Sequence, residues 1–366
     1  MVDIVDDHLA SFVSSREAAM AALSPDMGHL ADYAKALLGN GKRFRARFCY
    51  WGWRAADNSH GSVDVSDGVE TLSDIVPVVS LATSLEVFHA AALVHDDIMD
   101  NSDTRRGSPS AHKYFEKIHQ ERAYSGSEVH FGESTALLLG DLLLAWSDDL
   151  LSEALVGQQE SIATATRQQF SQMRQEVTLG QYLDIHEEAA WNHTAREERL
   201  ERALRVVTYK SAKYSMEAPL LIGASLAGAT PEALEDLSAF GLPLGIAFQL
   251  RDDLLGVFGD SELTGKPSGD DLREGKRTAL IALGEQSMPA NAQSLFNELL
   301  GDRSLTGEQI EVLQSTLRAT GAVEQVEDLI DQYAQESLLA LGAARIAPGA
   351  KKELSRLAAA VTKRQS

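Results

Sequence analysis

Apolar residues recur along this chain mostly three and four positions apart, and no long stretch alternates apolar with polar. That is the spacing of helices that bury one face. "GHLADYAKALLGNGKRFRARFCYWGWRAA" reads as helix, glycine break, helix. "DIVPVVSLATSLEVFHAAALVHDDIMD" reads as one long helix after a polar loop near residues 57–68. The pattern predicts further helices over "STALLLGDLLLAWSDDLLSEAL", "TATRQQFSQMRQEVTLGQYLDI", "LERALRVVTYKSAKYSMEAPLLIGASLAG" and "LEDLSAFGLPLGIAFQLRDDLLGVFG". Amphipathic segments continue to "KKELSRLAAAVTKRQS". No fixed-period repeat is visible, which argues against a solenoid. The longer breaks, 54–72, 119–133 and 259–277, contain no clear interdomain linker, so the chain reads as one all-α domain over 1–366. Loops that flank charged motifs on rigid helices are where ligand-binding groups are expected.

Composition narrows the picture. The 366 residues are 44% hydrophobic and 24% charged, the balance of a globular protein with a core. A formal charge of −21 argues against broad contact with a nucleic-acid backbone, which needs concentrated lysine and arginine. An acidic chain still binds an anionic small molecule where its cations converge or metal ions mediate. The one cysteine, Cys49, excludes an intrachain disulfide and fits a reducing compartment. "MVDIVDDHLASF" has no basic segment leading into an apolar one, so no secretory signal is expected. The most apolar run is broken by Ser80, Ser84, Glu86 and His89, which suits a buried helix better than a membrane span. The expectation is a cytoplasmic protein with no membrane span.

Candidate chemistry begins at "LVHDDIMDNSDTRRG". Asp96 and Asp100 are four apart, so on a helix their carboxylates share one face about 5.4 Å apart. Like charges so placed disfavour the helix unless something neutralises them. Mg²⁺ would, since it favours carboxylate oxygens and shares its other positions with water and substrate phosphates. Alone, such a cluster is equally well a solvated helix end. A second acidic pair, Asp252 and Asp253, follows another apolar helical run, and folding could set the two pairs face to face across a bundle. Cations gather nearby: Lys42, Arg43 and Arg45 after Gly41, then Arg105 and Arg106, Lys210, Lys266 and Lys276. Together they suit one diphosphate held by lysine and arginine and another bridged by Mg²⁺.

Six ordered motifs, "GKRFR" (41–45), "HDDIMDNSDTRRG" (95–107), "GQYLD" (180–184), "YKS" (209–211), "FQLRDD" (248–253) and "GKPSGDDLREGK" (265–276), carry a resemblance. The sequence resembles the trans-isoprenyl diphosphate synthases, bacterial geranylgeranyl diphosphate synthases among them, from about residue 20 to the end. The resemblance implies an antiparallel helical bundle with a central active-site cavity and a homodimer. It also implies an enzyme that joins an allylic diphosphate (dimethylallyl, geranyl or farnesyl) to isopentenyl diphosphate, head to tail. By resemblance, Asp96, Asp100 and Asp252 hold Mg²⁺, three ions with substrate bound, with Asp97 and Asp253 in support. Arg105, Lys210, Lys266 and Lys276 bind the allylic diphosphate, and Ser211 and Gln249 present oxygen dipoles to the allylic cation. Gly41, Lys42, Arg43, His89 and Arg106 match the isopentenyl diphosphate contacts. The released diphosphate then removes the proton, so no protein base is needed.

Two positions depart from the resemblance: Gly256 stands where many farnesyl synthases have a third aspartate, and Ala46 where the family usually has proline. Chain length in the family is set on the helix before the first cluster. Farnesyl synthases carry an aromatic four or five residues ahead of the first aspartate, where this chain has Ala92 and Ala91. Small residues there admit a further isoprene and imply geranylgeranyl diphosphate (C20), with Phe88 or Trp146 as the floor. A farnesyl or longer-chain product is the alternative. A class I terpene cyclase would not need "GKRFR", His89 and Arg106. A non-catalytic synthase subunit would usually have lost one acidic cluster. A His–Asp phosphohydrolase built on His95 would need histidines that no comparable motif supplies.

Overall fold

The computed structural model describes residues 1–39, 41–56, 72–259 and 268–362. The predicted polar loop near 57–68 and Lys266 lie outside them. The fold is all-α, as the periodicity implies, with one two-stranded hairpin among the described residues, β1 (Thr104–Arg105) and β2 (Ser108–Pro109). The chain groups into two compact units, Met1–Arg167 with Ile222–Gly228, and Gln168–Leu221 with Ala229–Ser366.

The first unit holds α1 (Val2–Leu23), α2 (Gly28–Gly39), α3 (Phe44–Ala56), α4 (Leu72–Met99), α5 (Ala111–Glu121), α6 (Glu128–Leu155) and the start of α7 (Glu160–Ala190). Its centre is α4 against α6. The polar residues that interrupt the apolar run of α4 are all engaged. Ser84 Oγ donates to the Ser147 carbonyl at 2.8 Å, and Ser147 Oγ donates back to the Ser84 carbonyl at 2.9 Å. Ser80 donates to Glu153 at 3.0 Å, and Thr83 to its own helix at Val79. Buried hydroxyls so satisfied cost little and let the helices approach closely. Ile75–Met99 is long and apolar enough to cross a membrane, and 78% of its 18-residue apolar window is buried inside the protein. The predicted break at 119–133 is shorter than expected, because α5 runs to Glu121 and Ser127 caps α6 by accepting from His130 N–H at 3.3 Å.

The second unit holds the rest of α7, α8 (Arg196–Val206), a π-helix (Val207–Glu217), the first residues of α9 (Ala218–Leu226), all of α10 (Pro231–Phe258) and further helices, of which Ala322–Ala343 packs along α10. Thr230 caps α10, with Pro231 at its first position, where a missing N–H costs nothing. The sequence pattern predicts one continuous α-helix through "RVVTYKSAKYSME", whereas the chain widens into π-helix there. Wide turns of this kind collect at functional sites. Two glycines let neighbours close on its backbone. A Cβ on Gly180 of α7 would stand 2.4 Å from Lys210 N, and one on Gly245 of α10 would stand 2.4 Å from Ala212 O.

Gly180→Ala should therefore lower the stability of this unit by roughly 1–3 kcal/mol, as overpacking against backbone does. Gly342→Ala, where an added Cβ meets nothing within 4 Å, should leave stability unchanged or raise it by up to about 1 kcal/mol. Urea unfolding of the two variants checks the contrast.

Candidate active site

In the first unit α4 ends in the acidic turn. The Asp100 N–H donates to the Asp96 carbonyl at 2.8 Å, so the helical bonding continues past Met99 and keeps both carboxylates on one face. Asp97 turns the other way. Its side chain is 3% exposed, and Arg105 Nε donates to its two oxygens at 2.9 and 3.2 Å, with a further short contact from Nη2. Arg105 also lies 3.8 Å from Asp96. Arg105 is carried by the β1–β2 hairpin, whose turn is Arg106 and Gly107 at φ 52° and 76°. Positive φ at both central residues is the geometry of a type I′ turn, strained for an arginine.

Arg106 and Arg43, the latter also left-handed at φ 51°, line a small pocket with Glu86, His89 and Leu38. The space between them is about 10 Å³, room for little more than a water. Burial first, then Arg45, Arg106, Arg105 and Arg43, hold the His89 imidazole well below its usual pKa, so it is neutral at pH 7. Arg43 is 5% exposed and engaged on several sides: Nε donates to Asp6 at 2.7 Å, Nη2 to the Leu38 carbonyl at 2.5 Å, and Nη1 lies 3.6 Å from Glu86. Gly41 makes room for this, since a Cβ there would stand 3.1 Å from Arg43 Nη1. Lys42 is exposed. His95 packs on α6 beside Gly140, with Nε2 3.2 Å from the Leu137 carbonyl and 3.6 Å from Asp141.

Of the chain-length positions, Ala91 is fully buried, Ala92 half-buried, and Phe88 and Trp146 each 5% exposed. Trp146 is backed by Phe12 of α1, edge to face at 6.0 Å.

In the second unit the π-helix presents Lys210 and Ser211. Lys210 Nζ pairs with Asp184 of "GQYLD" at 2.5 Å. Ser211 donates to Gln249 Oε1, and Gln249 Nε2 donates to Asp253 at 2.7 Å, so the amide is locked in one orientation. Asp252 is half-buried on α10, while Asp253 is buried, and burial with the nearby Asp271 pushes its carboxyl up to about 7. Asp271 also explains Gly256. A Cβ on Gly256 would stand 1.9 Å from Asp271 Oδ2, so a carboxylate from the "GDDLREGK" segment occupies the neighbourhood of the missing third aspartate. Lys276 Nζ lies 3.2 Å from Asp271 and 2.7 Å from Glu274. Next to it, Arg277 lies over the Trp191 ring at 5.5 Å and Arg199 at 4.9 Å, and Arg199 and Trp191 both bond the fully buried Glu285.

Sequence reasoning counted Arg45 only among the gathered cations and gave no role to Glu86, Asp184 or Asp271. Asp184 and Asp271 sit inside quoted motifs, yet nothing in the string says which lysine or glycine each one meets. Among the described residues, no group of three or more ligating side chains gathers as a preformed metal cage. The donor set fits Mg²⁺ all the same. That ion is held through one or two carboxylates with water and phosphate completing its octahedron, and Asp96 and Asp100 share a face, with the intervening Asp97 already neutralised by Arg105.

An all-α chain with two acidic helix turns, each with fixed cations beside it, defines an isoprenyl diphosphate synthase type of protein. The chain belongs to the polyprenyl synthetase family, whose model matches residues 28–317. It is 31% identical to the geranylgeranyl diphosphate synthase of Methanosarcina mazei over 75% of this chain and 76% of that protein. It is 30% identical to the geranylfarnesyl diphosphate synthase of Aeropyrum pernix over 79% of this chain and 82% of that one. A short chain isoprenyl diphosphate synthase of Methanocaldococcus jannaschii is 31% identical over 65% of this chain, which spans 65% of that protein's length. Among solved structures, a geranylgeranyl pyrophosphate synthase of Corynebacterium glutamicum, complexed with isoprenyl diphosphate and magnesium, is 38% identical, with a TM-score of 0.88 over 99% of this chain and 98% of that one.

Arg105→Ala would strand the buried Asp97 carboxylate. It should lower stability by about 3 kcal/mol, and Asp97→Asn in the same chain should restore most of the loss. A double-mutant cycle by denaturant unfolding measures this directly.

Proposed function

We propose that the protein condenses isopentenyl diphosphate with an allylic diphosphate in the trans configuration and releases geranylgeranyl diphosphate. The observation that carries the reading is the division of labour in the first acidic turn. Asp97 is spent on fixing Arg105, and Asp96 and Asp100 share the face it leaves. Mg²⁺ bound by Asp96, Asp100 and Asp252 supplies positive charge to the departing allylic diphosphate. Three ions with substrate bound remain the expected count. Arg105, Lys210, Lys266 and Lys276 bind the same diphosphate. Each of the three described ones is held by a neighbouring carboxylate, which fixes its position before substrate arrives. The Ser211–Gln249–Asp253 chain holds the Gln249 carbonyl in one orientation, a dipole suited to an allylic cation.

Isopentenyl diphosphate belongs with Gly41, Lys42, Arg43, His89 and Arg106, and Arg45 adds its charge beside His89. A neutral His89 donates one hydrogen bond to phosphate and adds no charge of its own. The C20 product rests on the small Ala91 and Ala92, with the buried Phe88 or the Phe12-backed Trp146 as the floor. The geranylfarnesyl relative keeps a C25 product as the second reading. A cytoplasmic homodimer remains the expected form.

Incubation with Mg²⁺, farnesyl diphosphate and labelled isopentenyl diphosphate should give a dominant C20 product, lost on chelation. Asp96→Asn and Asp252→Asn should each lower kcat roughly 10²–10³-fold. If no allylic primer is extended, the reading fails. Separately, Phe88→Ala should lengthen the product by at least one isoprene unit. An unchanged product distribution would remove Phe88 as the floor.

A further inference from the structure

The N-terminal helix α1 precedes the family-matched segment, which begins at residue 28. It nevertheless reaches the cation pocket of the first unit. Asp6 on α1 accepts from Arg43 Nε at 2.7 Å. From the other side, Glu86 of α4, 6% exposed, lies 3.6 Å from Arg43 Nη1. Its other oxygen accepts the Ala46 backbone N–H at 3.1 Å. That N–H is one of those a helix leaves unsatisfied in its first turn, here the first turn of α3. A proline at 46 has no such donor, so the alanine there allows a bond that the usual residue forbids.

The consequences converge on one turn. Arg43 sits at φ 51°, a strained conformation that persists only where its surroundings over-determine it. Two carboxylates and the Leu38 carbonyl do so, and Gly41 clears the space for the guanidinium. The clamped turn carries Lys42 on one side and Arg45 on the other. Arg45 is the foremost charge acting on His89. A guanidinium engaged by Asp6 and the Leu38 carbonyl is the anchor of the turn that carries these two cations.

We propose that Asp6 is a positioning residue for isopentenyl diphosphate. Through Arg43 it holds the "GKRFR" turn in register, so that helix α1 completes this substrate site. The proposal rests on reading the pocket as the isopentenyl diphosphate site.

The test is steady-state kinetics of the full-length chain, each substrate varied with the other saturating. Asp6→Asn should raise KM for isopentenyl diphosphate about tenfold, the loss of one charge-assisted bond, with kcat and the allylic KM within about twofold of wild type. Asp6→Glu keeps the charge and should fall between the two; it is the variant to read should Asp6→Asn not fold. His8→Ala is the control. His8 ties α1 to Thr83 of α4 at 3.0 Å without touching Arg43, so its isopentenyl diphosphate KM should stay at the wild-type value. The proposal is overturned if both Asp6 variants keep the wild-type KM. It is overturned equally if His8→Ala shifts KM as Asp6→Asn does, or if kcat and both KM values worsen together. Calorimetric titration with inorganic diphosphate, without Mg²⁺, separates the two readings. A wild type that condenses nothing yet binds diphosphate about tenfold more tightly than Asp6→Asn loses the reaction and keeps the clamp. Equal binding by the two ends the clamp as well.

Discussion

Unneutralised carboxylate charge at the ends of buried helices is the constraint on which this structure depends. Asp96, Asp97 and Asp100 fall within one turn at the end of α4, a helix whose body is mostly buried. Repulsion among them would fray that end if nothing opposed it. The hairpin that follows α4 brings Arg105 back to the most buried of the three, Asp97, and binds it through both oxygens. Asp96 and Asp100 stay together on the other face of the turn, held there by the helical bond from Asp100 N–H to the Asp96 carbonyl. Burial of an ion pair seldom stabilises a protein much, yet removal of one partner is expensive, so the pair fixes geometry more than it adds stability.

The second unit meets the same constraint by other means. Asp253 is buried beside Asp271, and its carboxyl is pushed up to about 7, so at neutral pH the pair does not carry its full charge. Gln249 and Lys276 share what remains. The glycine at 256 makes room for Asp271, so acidity that a longer motif would place on one helix is divided here between two segments. Close helix approach serves the same end at the π-helix, where Gly180 and Gly245 bring α7 and α10 against the backbone that carries Lys210 and Ser211.

Polar residues inside apolar runs share one role across the first unit. Ser84 and Ser147 exchange hydroxyl–carbonyl bonds, Ser80 reaches Glu153, and Glu86 serves both Arg43 and the start of α3. Each polar group satisfied in a core also specifies which neighbour must be there. The site is thereby tied to the packing of α1, α3, α4 and α6.

Much of this was legible in the string. Three- and four-residue spacing fixed the all-α class and located α4, α6, α7 and α10, because a helix must bury one face and the chain spells that face out. The acidic turns, the glycine break before α3 and the cations near them were visible as motifs, since their chemistry is local. The structure alone decided which charge meets which. Arg105 goes to Asp97, Lys210 to Asp184, Arg43 to Asp6 and Lys276 to Asp271. It also decided that "VTYKSAKYSME" widens into π-helix, and that Gly180, Gly245 and Gly256 each mark a contact with a distant segment. Helical period is a property of neighbours in sequence. Pairing of distant charges and closeness of backbones follow from how helices pack, which no single stretch contains.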